Sequence, residues 1–122
     1  MKLGYFDTKE FESKDGAKSP FGETVVRKEL VHLLNRIREK WGRPIIINCA
    51  YRSHEHNKAV GGVENSYHVQ GLAADIRPEN LEDLPELQDL CLDMVTDGGV
   101  GVYNTFVHVD ARGRRARWDN RS

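Results

Sequence analysis

Two short segments of the chain place histidine and aspartate side chains where they could hold a metal ion. In the first segment, His68 lies in a polar stretch, and Asp75 follows seven positions later inside an otherwise apolar run. Because side chains alternate between the two faces of a β-strand, Ala74 and Ile76 share the core face and Asp75 projects from the other. A buried carboxylate without a positive partner is costly. The segment therefore predicts a functional carboxylate on the side where His68 can meet it.

The second segment, residues 106–110, alternates between apolar and polar side chains. Val107 and Val109 are expected to face the core, so that His108 and Asp110 share the opposite face. This pattern predicts a strand that presents an imidazole and a carboxylate to a site rather than to the hydrophobic interior.

Histidine and aspartate are both ligands of zinc, and three protein ligands with an open fourth position are typical of a catalytic zinc site. His68, Asp75 and His108 supply three such ligands. A water in the fourth position has its pKa lowered to about 7, which makes it a nucleophile at neutral pH. The sequence therefore predicts a Zn²⁺ site with hydrolytic chemistry.

The elements that position these residues follow from hydrophobic periodicity. Apolar residues recur at three- and four-residue steps after Thr24, which predicts a helix over 24–40, and a leucine pattern predicts another over 81–96, with a short helix over 54–60. The predicted strands cover residues 45–50, 72–76, 100–103, 106–110 and 115–118, the last three as an antiparallel meander. This order predicts the α+β class, with a small, mostly antiparallel sheet and two main helices packed on one side.

Length and composition indicate one small globular unit. The chain has 122 residues, 39% of them hydrophobic, which predicts a single domain over 1–122 with an irregular N-terminal arm over 1–22 and a motif-bearing core over 44–118. A net charge of −1, from 18 basic and 19 acidic residues, argues against nucleic acid or a membrane surface as a partner. The two cysteines, Cys49 and Cys91, are expected to be buried free thiols. A monomer is expected.

Four motifs follow one another in a specific order between residues 44 and 118. They are Tyr51-Arg52-Ser53, His68 with Asp75 around Gly71, Gly99-Val100-Gly101-Val102-Tyr103, and Phe106-Val107-His108-Val109-Asp110. This order resembles that of the zinc D-Ala-D-Ala carboxypeptidase family, whose superfamily also contains the hedgehog signalling domain and phage L-alanyl-D-glutamate endopeptidases. The resemblance implies that His68, Asp75 and His108 are the zinc ligands. It also implies that Arg52 pairs with a peptide carboxylate or orients the scissile carbonyl.

The same resemblance implies a function in the bacterial cell wall. The expected activity is hydrolysis of a peptide bond in peptidoglycan stem peptides, with zinc polarising the carbonyl and activating the attacking water. Together with Arg52, Ser66 and Tyr103 are expected to contact the substrate. Since the first residues lack the apolar core of a signal peptide, we expect a chain made in the cytoplasm that reaches the wall by phage-type or other non-signal export.

The general base does not follow the family pattern. Several branches of the family have an acidic base three positions before the last zinc-binding histidine, where this chain has Thr105. A threonine cannot accept a proton at neutral pH, so the base must come from elsewhere. Asp110 is the first candidate because strand alternation places it on the ligand face, although there it could instead orient a ligand. His56 is the second candidate.

Two other functions compete with that of a peptidase. The presence of Thr105 favours a non-catalytic, hedgehog-like binding module that keeps zinc for stability. His54, His56 and Asn57 faintly resemble a metal-dependent nuclease loop, but the chain lacks the basic surface that a nucleic-acid substrate needs. The appearance of new amino termini in treated peptidoglycan would distinguish the peptidase from the binding module.

Overall fold

The computed structural model describes residues 1–122 and contains seven strands and three α-helices. In chain order they are β1 (Lys2–Leu3), β2 (Phe6–Asp7), α1 (Lys28–Trp41), β3 (Ile45–Cys49), α2 (His54–Ala59), β4 (Ala73–Pro78), α3 (Leu84–Met94), β5 (Gly99–Val102), β6 (Val107–Asp110) and β7 (Ala116–Asp119). The last five strands form one sheet in the order β3-β4-β6-β5-β7. The sheet is antiparallel except between β5 and β7, which run parallel.

The parallel pairing of β7 corrects the expected antiparallel meander. Strands β5 and β6 do pair antiparallel, as predicted, but β6 is also paired with β4 along its other edge. No free edge of β6 therefore remains for β7. The chain crosses to the open edge of β5 instead, where Gly101 pairs with Trp118.

The first main helix starts later than its periodicity predicts. Residues Gly22–Thr24 form a 3-10 turn, and Val25 has a φ of 66°, so the helical backbone begins only at Lys28. The helix ends at Trp41 because Gly42 takes the left-handed conformation, with φ of 75°, which glycine adopts without a steric penalty. The predicted span of 81–96 likewise divides into a 3-10 turn, Leu81–Asp83, and α3.

One face of the sheet and the two main helices enclose the hydrophobic core. From the strands, Ile76, Val107 and Val109 are fully buried, and from the helices Leu34 and Leu87 are fully buried against them. The predicted α+β class is confirmed, and the other face of β4 and β6 stays available for polar side chains. None of the helices has the length and apolar character needed to cross a membrane.

The N-terminal arm is more regular than expected and supports the end of β3. Residues 1–22 include the β1–β2 hairpin and a 3-10 helix, Thr8–Phe11, and Phe11 is fully buried in the core. The Tyr51 amide donates to the Phe11 carbonyl at 3.0 Å, and the Ser53 hydroxyl donates to the Asp15 carboxylate at 2.5 Å. The arm therefore holds the turn that carries Arg52 between β3 and α2.

Candidate metal centre and cleft

The three predicted metal ligands come from two paired strands and one loop. Asp75 on β4 is the direct cross-strand partner of His108 on β6, so their side chains share one face of the sheet. His68 lies in the loop between α2 and β4. This loop turns at Gly71, where φ is 71° and an added Cβ would come within 2.7 Å of the Phe21 ring. Glycine at this turn therefore lets the loop pack closely enough to bring His68 over the strands.

The donor atoms of these side chains converge on one carboxylate oxygen. Asp75 Oδ1 lies 3.3 Å from His68 Nε2 and 3.1 Å from His108 Nδ1. Two ligands bonded to a tetrahedral zinc at about 2.0 Å are themselves about 3.3 Å apart. The separation of Asp75 from each histidine is close to this value, and the chemistry of the set, two imidazoles and a carboxylate, suits zinc. The donors that all lie within 4.8 Å of one another are those of Cys49, His68 and Asp75, and His108 adjoins this group through Asp75.

The outer nitrogen of each imidazole has a partner that fixes the orientation of the ring. His68 Nδ1 lies 2.8 Å from the carbonyl oxygen of Ala50, which can only accept, so Nδ1 carries hydrogen and Nε2 is the metal-facing atom. His108 Nε2 lies 2.7 Å from Asp110 Oδ2, so Nδ1 is the metal-facing atom there. Such outer contacts are typical of histidines that bind metals.

Asp110 has no oxygen left to accept a further proton. It is fully buried, and its Oδ1 accepts from the Gly99 amide and from both the amide and Nε of Arg112. Its Oδ2 accepts from His108 and from Arg112 Nη2 at 2.8 Å. Burial opposes ionisation, but the hydrogen bonds from His108 and Arg112 outweigh it and hold the pKa of Asp110 well below its usual range. This geometry favours the orienting role of Asp110 over the role of base.

The charge balance at the centre couples metal binding to protons. Burial disfavours a charged imidazole, but hydrogen bonds to Asp75 and Cys49 outweigh it and raise the pKa of His68 to about 9. The same imidazoles hold the pKa of Asp75 below its usual range despite burial. A metal that binds His68 at neutral pH therefore displaces a proton, so metal affinity should rise with pH.

A cleft of about 720 Å³ opens beside the three donors. Arg52, Ser66 and Tyr103, the three residues expected to contact a substrate, all line it, as does Glu64. His56 is not among the lining residues; it belongs to α2, where its amide donates to the Ser53 hydroxyl that caps the helix. The structure thus brings the predicted substrate contacts to the metal ligands but leaves His56 outside the cleft.

Arg52 is held in place by hydrogen bonds from both of its terminal nitrogens. Its Nη1 donates to Asn57 Oδ1 at 2.8 Å and its Nη2 donates to Cys49 Sγ at 3.5 Å, whereas its buried Nε has no partner. Asn57 in turn donates to the Val63 carbonyl at 2.8 Å, which ties the arginine to the loop that follows α2. A fixed guanidinium at the cleft is suited to bind an oxygen of a substrate.

Ser66 and Tyr103 have structural partners as well as a place in the cleft. The Ser66 hydroxyl accepts from the His68 amide at 3.1 Å and so supports the loop that carries this ligand. The Tyr103 hydroxyl accepts from Trp118 Nε1 at 2.8 Å, and its ring stacks on Phe106 with centroids 4.3 Å apart. Both residues therefore belong to the wall of the cleft.

The structure adds three residues that the sequence did not single out. Cys49 was expected to be a buried thiol, but it is only partly buried and lies beside His68 and Asp75. Arg112 clamps Asp110, and the Trp118 ring lies with its centroid 5.1 Å from that of His108. Cys91, by contrast, is a fully buried free thiol, as predicted. For these three residues, the one hint in the sequence is the glycine at position 101: an added Cβ there would meet the Trp118 ring at 2.2 Å, so the position must be small for Trp118 to pack against β5.

The mostly antiparallel sheet thus presents two histidines and an aspartate beside an open cleft. The chain belongs to the Peptidase M15 family, whose family model matches residues 4–110. The match covers both predicted ligand segments and Arg52, and it confirms the resemblance at the level of this peptidase family. Among curated proteins, none matches the chain significantly.

Proposed function

We propose that this protein is a zinc-dependent peptidase that hydrolyses a peptide bond in peptidoglycan stem peptides, as a D-Ala-D-Ala carboxypeptidase or an endopeptidase of the endolysin type. The observation that carries this proposal is the convergence of His68 Nε2 and His108 Nδ1 on Asp75 Oδ1, at 3.3 and 3.1 Å, at the wall of an open cleft. Membership of the Peptidase M15 family supports peptide-bond hydrolysis.

The roles of the chain's own residues follow from their contacts. Bound zinc supplies a Lewis acid and a water of lowered pKa. His68, Asp75 and His108 would hold it, and the Ala50 carbonyl and Asp110 keep the two imidazoles in the metal-binding orientation. Arg52, which lines the cleft, binds a substrate carboxylate or carbonyl oxygen. Binding at this fixed donor would place the scissile bond against the metal ligands.

We assign proton acceptance to Glu64. Asp75 and Glu64 are the two carboxylates that line the cleft, and Asp75 is committed to the histidines. Glu64 is exposed, so its carboxylate is free to meet a water in the cleft. If it is the base, Glu64→Gln should lower turnover by about 10² to 10⁴-fold with metal content unchanged. Wild-type turnover in the loaded variant would remove Glu64 from this role.

A non-catalytic, hedgehog-like binding module is the second candidate. Two observations favour it: Thr105 occupies the usual place of the base, and Asp110 is saturated by hydrogen bonds. Such a module would bind zinc and stem peptides without releasing a product. Its metal centre would then serve stability alone, since a metal bound only to the native state stabilises it by mass action.

One experiment separates the two candidates. Zinc-loaded protein is incubated with purified peptidoglycan, and new amino termini and freed D-Ala are followed by mass spectrometry. The peptidase proposal expects product from the wild type and none from folded His68→Ala or His108→Ala, both of which should also lose zinc. His54→Ala is the matched control, because His54 is an exposed histidine outside the cleft. Zinc-loaded wild type that binds peptidoglycan but releases nothing would refute the peptidase and support the binding module.

A further inference from the structure

We propose that Cys49 is an additional, sulfur ligand of the metal held by His68 and Asp75, so that the centre prefers thiophilic metals. The inference rests on the metal centre of the proposed function and deepens it. The observations behind it are a break in strand register, the spacing of the donor atoms and the contacts of the thiol.

A bulge in β3 turns Cys49 toward the metal ligands. Ile45 and Ile47 face the core, at 6% and 7% exposure, and strict alternation would send Cys49 there too. The register shifts instead between these residues: Ile47 pairs with Ile76, but Cys49 pairs with Asp75. Such bulges re-aim a side chain to the other face of a sheet. Cys49 therefore shares a face with Asp75.

The donor atoms lie close enough to share an ion. One ligand atom from each of Cys49, His68 and Asp75 lies within 4.8 Å of the other two. The ideal separation of sulfur and nitrogen donors on a tetrahedral zinc is about 3.5 Å. A movement of the thiol by about 1 Å, within the reach of one side-chain rotation, therefore closes the site. His108 Nδ1 lies 3.1 Å from the Asp75 carboxylate and so adjoins this cluster.

The Cys49 thiol contacts a residue of the cleft and one of the predicted metal ligands. Arg52, which lines the cleft, donates to Cys49 Sγ at 3.5 Å, and the outer nitrogen of His68, Nδ1, lies 3.9 Å from the same sulfur, so the thiol adjoins the ring that carries the metal-facing Nε2. Cys91 is fully buried and has no such polar neighbour, which makes it an internal control. The two cysteines thus have different surroundings, and only Cys49 is in reach of a metal.

A sulfur donor changes which metals the centre prefers and how open it is. Thiolate favours soft ions such as Cd²⁺ and Zn²⁺ over hard ions such as Mn²⁺. Because three protein ligands with one open position are typical of a catalytic site, a fourth protein donor closes it. Cys49 must then leave the metal before a water or a substrate oxygen can take its place. With Cys49 bound, the metal would therefore have no open coordination position in the absence of substrate.

Cobalt spectroscopy of the full-length chain tests this directly. Wild type and the control Cys91→Ala should bind one Co²⁺ and show the near-ultraviolet charge-transfer band of a thiolate–cobalt bond. Cys49→Ser should keep the visible cobalt bands but lose the charge-transfer band. Its affinity for Cd²⁺ should fall by more than about tenfold, and its affinity for Mn²⁺ should change by less than about twofold.

The outcomes separate this inference from the metal centre on which it rests. One bound Co²⁺ without the charge-transfer band in wild type would overturn the role of Cys49 and leave the metal centre intact. Failure of wild type to bind any metal would overturn both. If Cys49→Ser does not fold, alkylation of wild type decides: Cd²⁺ should protect Cys49 from iodoacetamide, while buried Cys91 stays unreactive throughout. Equal alkylation of Cys49 with and without bound Cd²⁺ would refute the inference.

Discussion

Replacing Asp110 by asparagine is the sharpest test of how the metal centre is supported. The carboxylate accepts from His108 Nε2 at 2.7 Å and from Arg112 Nη2 at 2.8 Å, both at Oδ2. An asparagine keeps the size but has one acceptor oxygen. If its NH₂ group takes the place of Oδ2, His108 and Arg112 Nη2 both lose their acceptor. If it takes the place of Oδ1, it faces the Gly99 amide and the amide and Nε of Arg112 instead, so donors are set against each other in either orientation.

Two magnitudes follow. If Asp110 orients His108, loss of this contact should weaken zinc binding by about 10- to 100-fold and leave turnover of the fully loaded enzyme close to normal. The Arg112 side chain is 13% exposed, so removal of its carboxylate should also lower the free energy of unfolding by about 3 kcal/mol, at the lower end of the range for broken buried pairs. Competition with a chromogenic chelator measures the affinity, and urea denaturation measures the stability.

Asp119→Asn provides the matched control for this test. Asp119 forms the same two-contact pair with Arg121, with oxygen–nitrogen distances of 3.0 and 2.7 Å, but it is exposed and lies outside the cleft. Its substitution should change neither zinc affinity nor turnover. Unaltered zinc affinity in Asp110→Asn, with turnover of the loaded enzyme reduced by about 10² to 10⁴-fold, would refute the orienting role and make Asp110 the base.

Three further predictions address the substrate contact, the arm and the cleft wall. Arg52→Ala should reduce kcat/KM while zinc content stays at one equivalent, and Arg52→Lys should restore it only in part because the planar fork is lost; equal kcat/KM in wild type and Arg52→Ala would exclude the contact. Hydrogen bonds from Ser53, Ser13 and the Ala17 amide lower the pKa of Asp15 from 3.8 to about 2. The contribution of Asp15 to stability is therefore complete above pH 3.8 and is lost as the pH falls toward 2. In Asp15→Asn, the free energy of unfolding measured by urea denaturation should depend less steeply on pH between 3.8 and 2. An unchanged slope would contradict this role of Asp15. Gly101→Ala places a methyl group 2.2 Å from Trp118 ring atoms and should lower the free energy of unfolding by about 1 to 3 kcal/mol, and with it the melting temperature. An unchanged melting temperature would show that the Trp118 ring moves aside without cost.

The parts of the site that could be predicted from sequence are those set by local alternation. Asp75 and His108 each lie in a strand whose apolar neighbours face the core, so period two alone placed both on the opposite face. The main helices could be predicted from their apolar stripes in the same way. Their boundaries could not, because a left-handed residue such as Val25 leaves no signal in periodicity.

Other features depend on contacts between distant parts of the chain. Cys49 continues the alternation of Ile45 and Ile47, so sequence alone predicts that it is buried; the bulge that reverses its direction is visible only when β3 is aligned with β4. The clamp of Arg112 on Asp110 arises where the chain leaves β6 to cross β5. That crossing depends in turn on which strand edges are already occupied, a property of the assembled sheet.

The direct pairing of Asp75 with His108 also bears on how the chain refolds. If β6 slipped by one residue along β4, His108 would turn toward the helices and a valine would stand beside Asp75. A molecule trapped in such a misaligned state has lost a donor and cannot retain the ion. Zinc added during refolding should therefore draw the population toward the native alignment by mass action. The metal retained per chain after refolding would then report the fraction of molecules whose strands are correctly aligned.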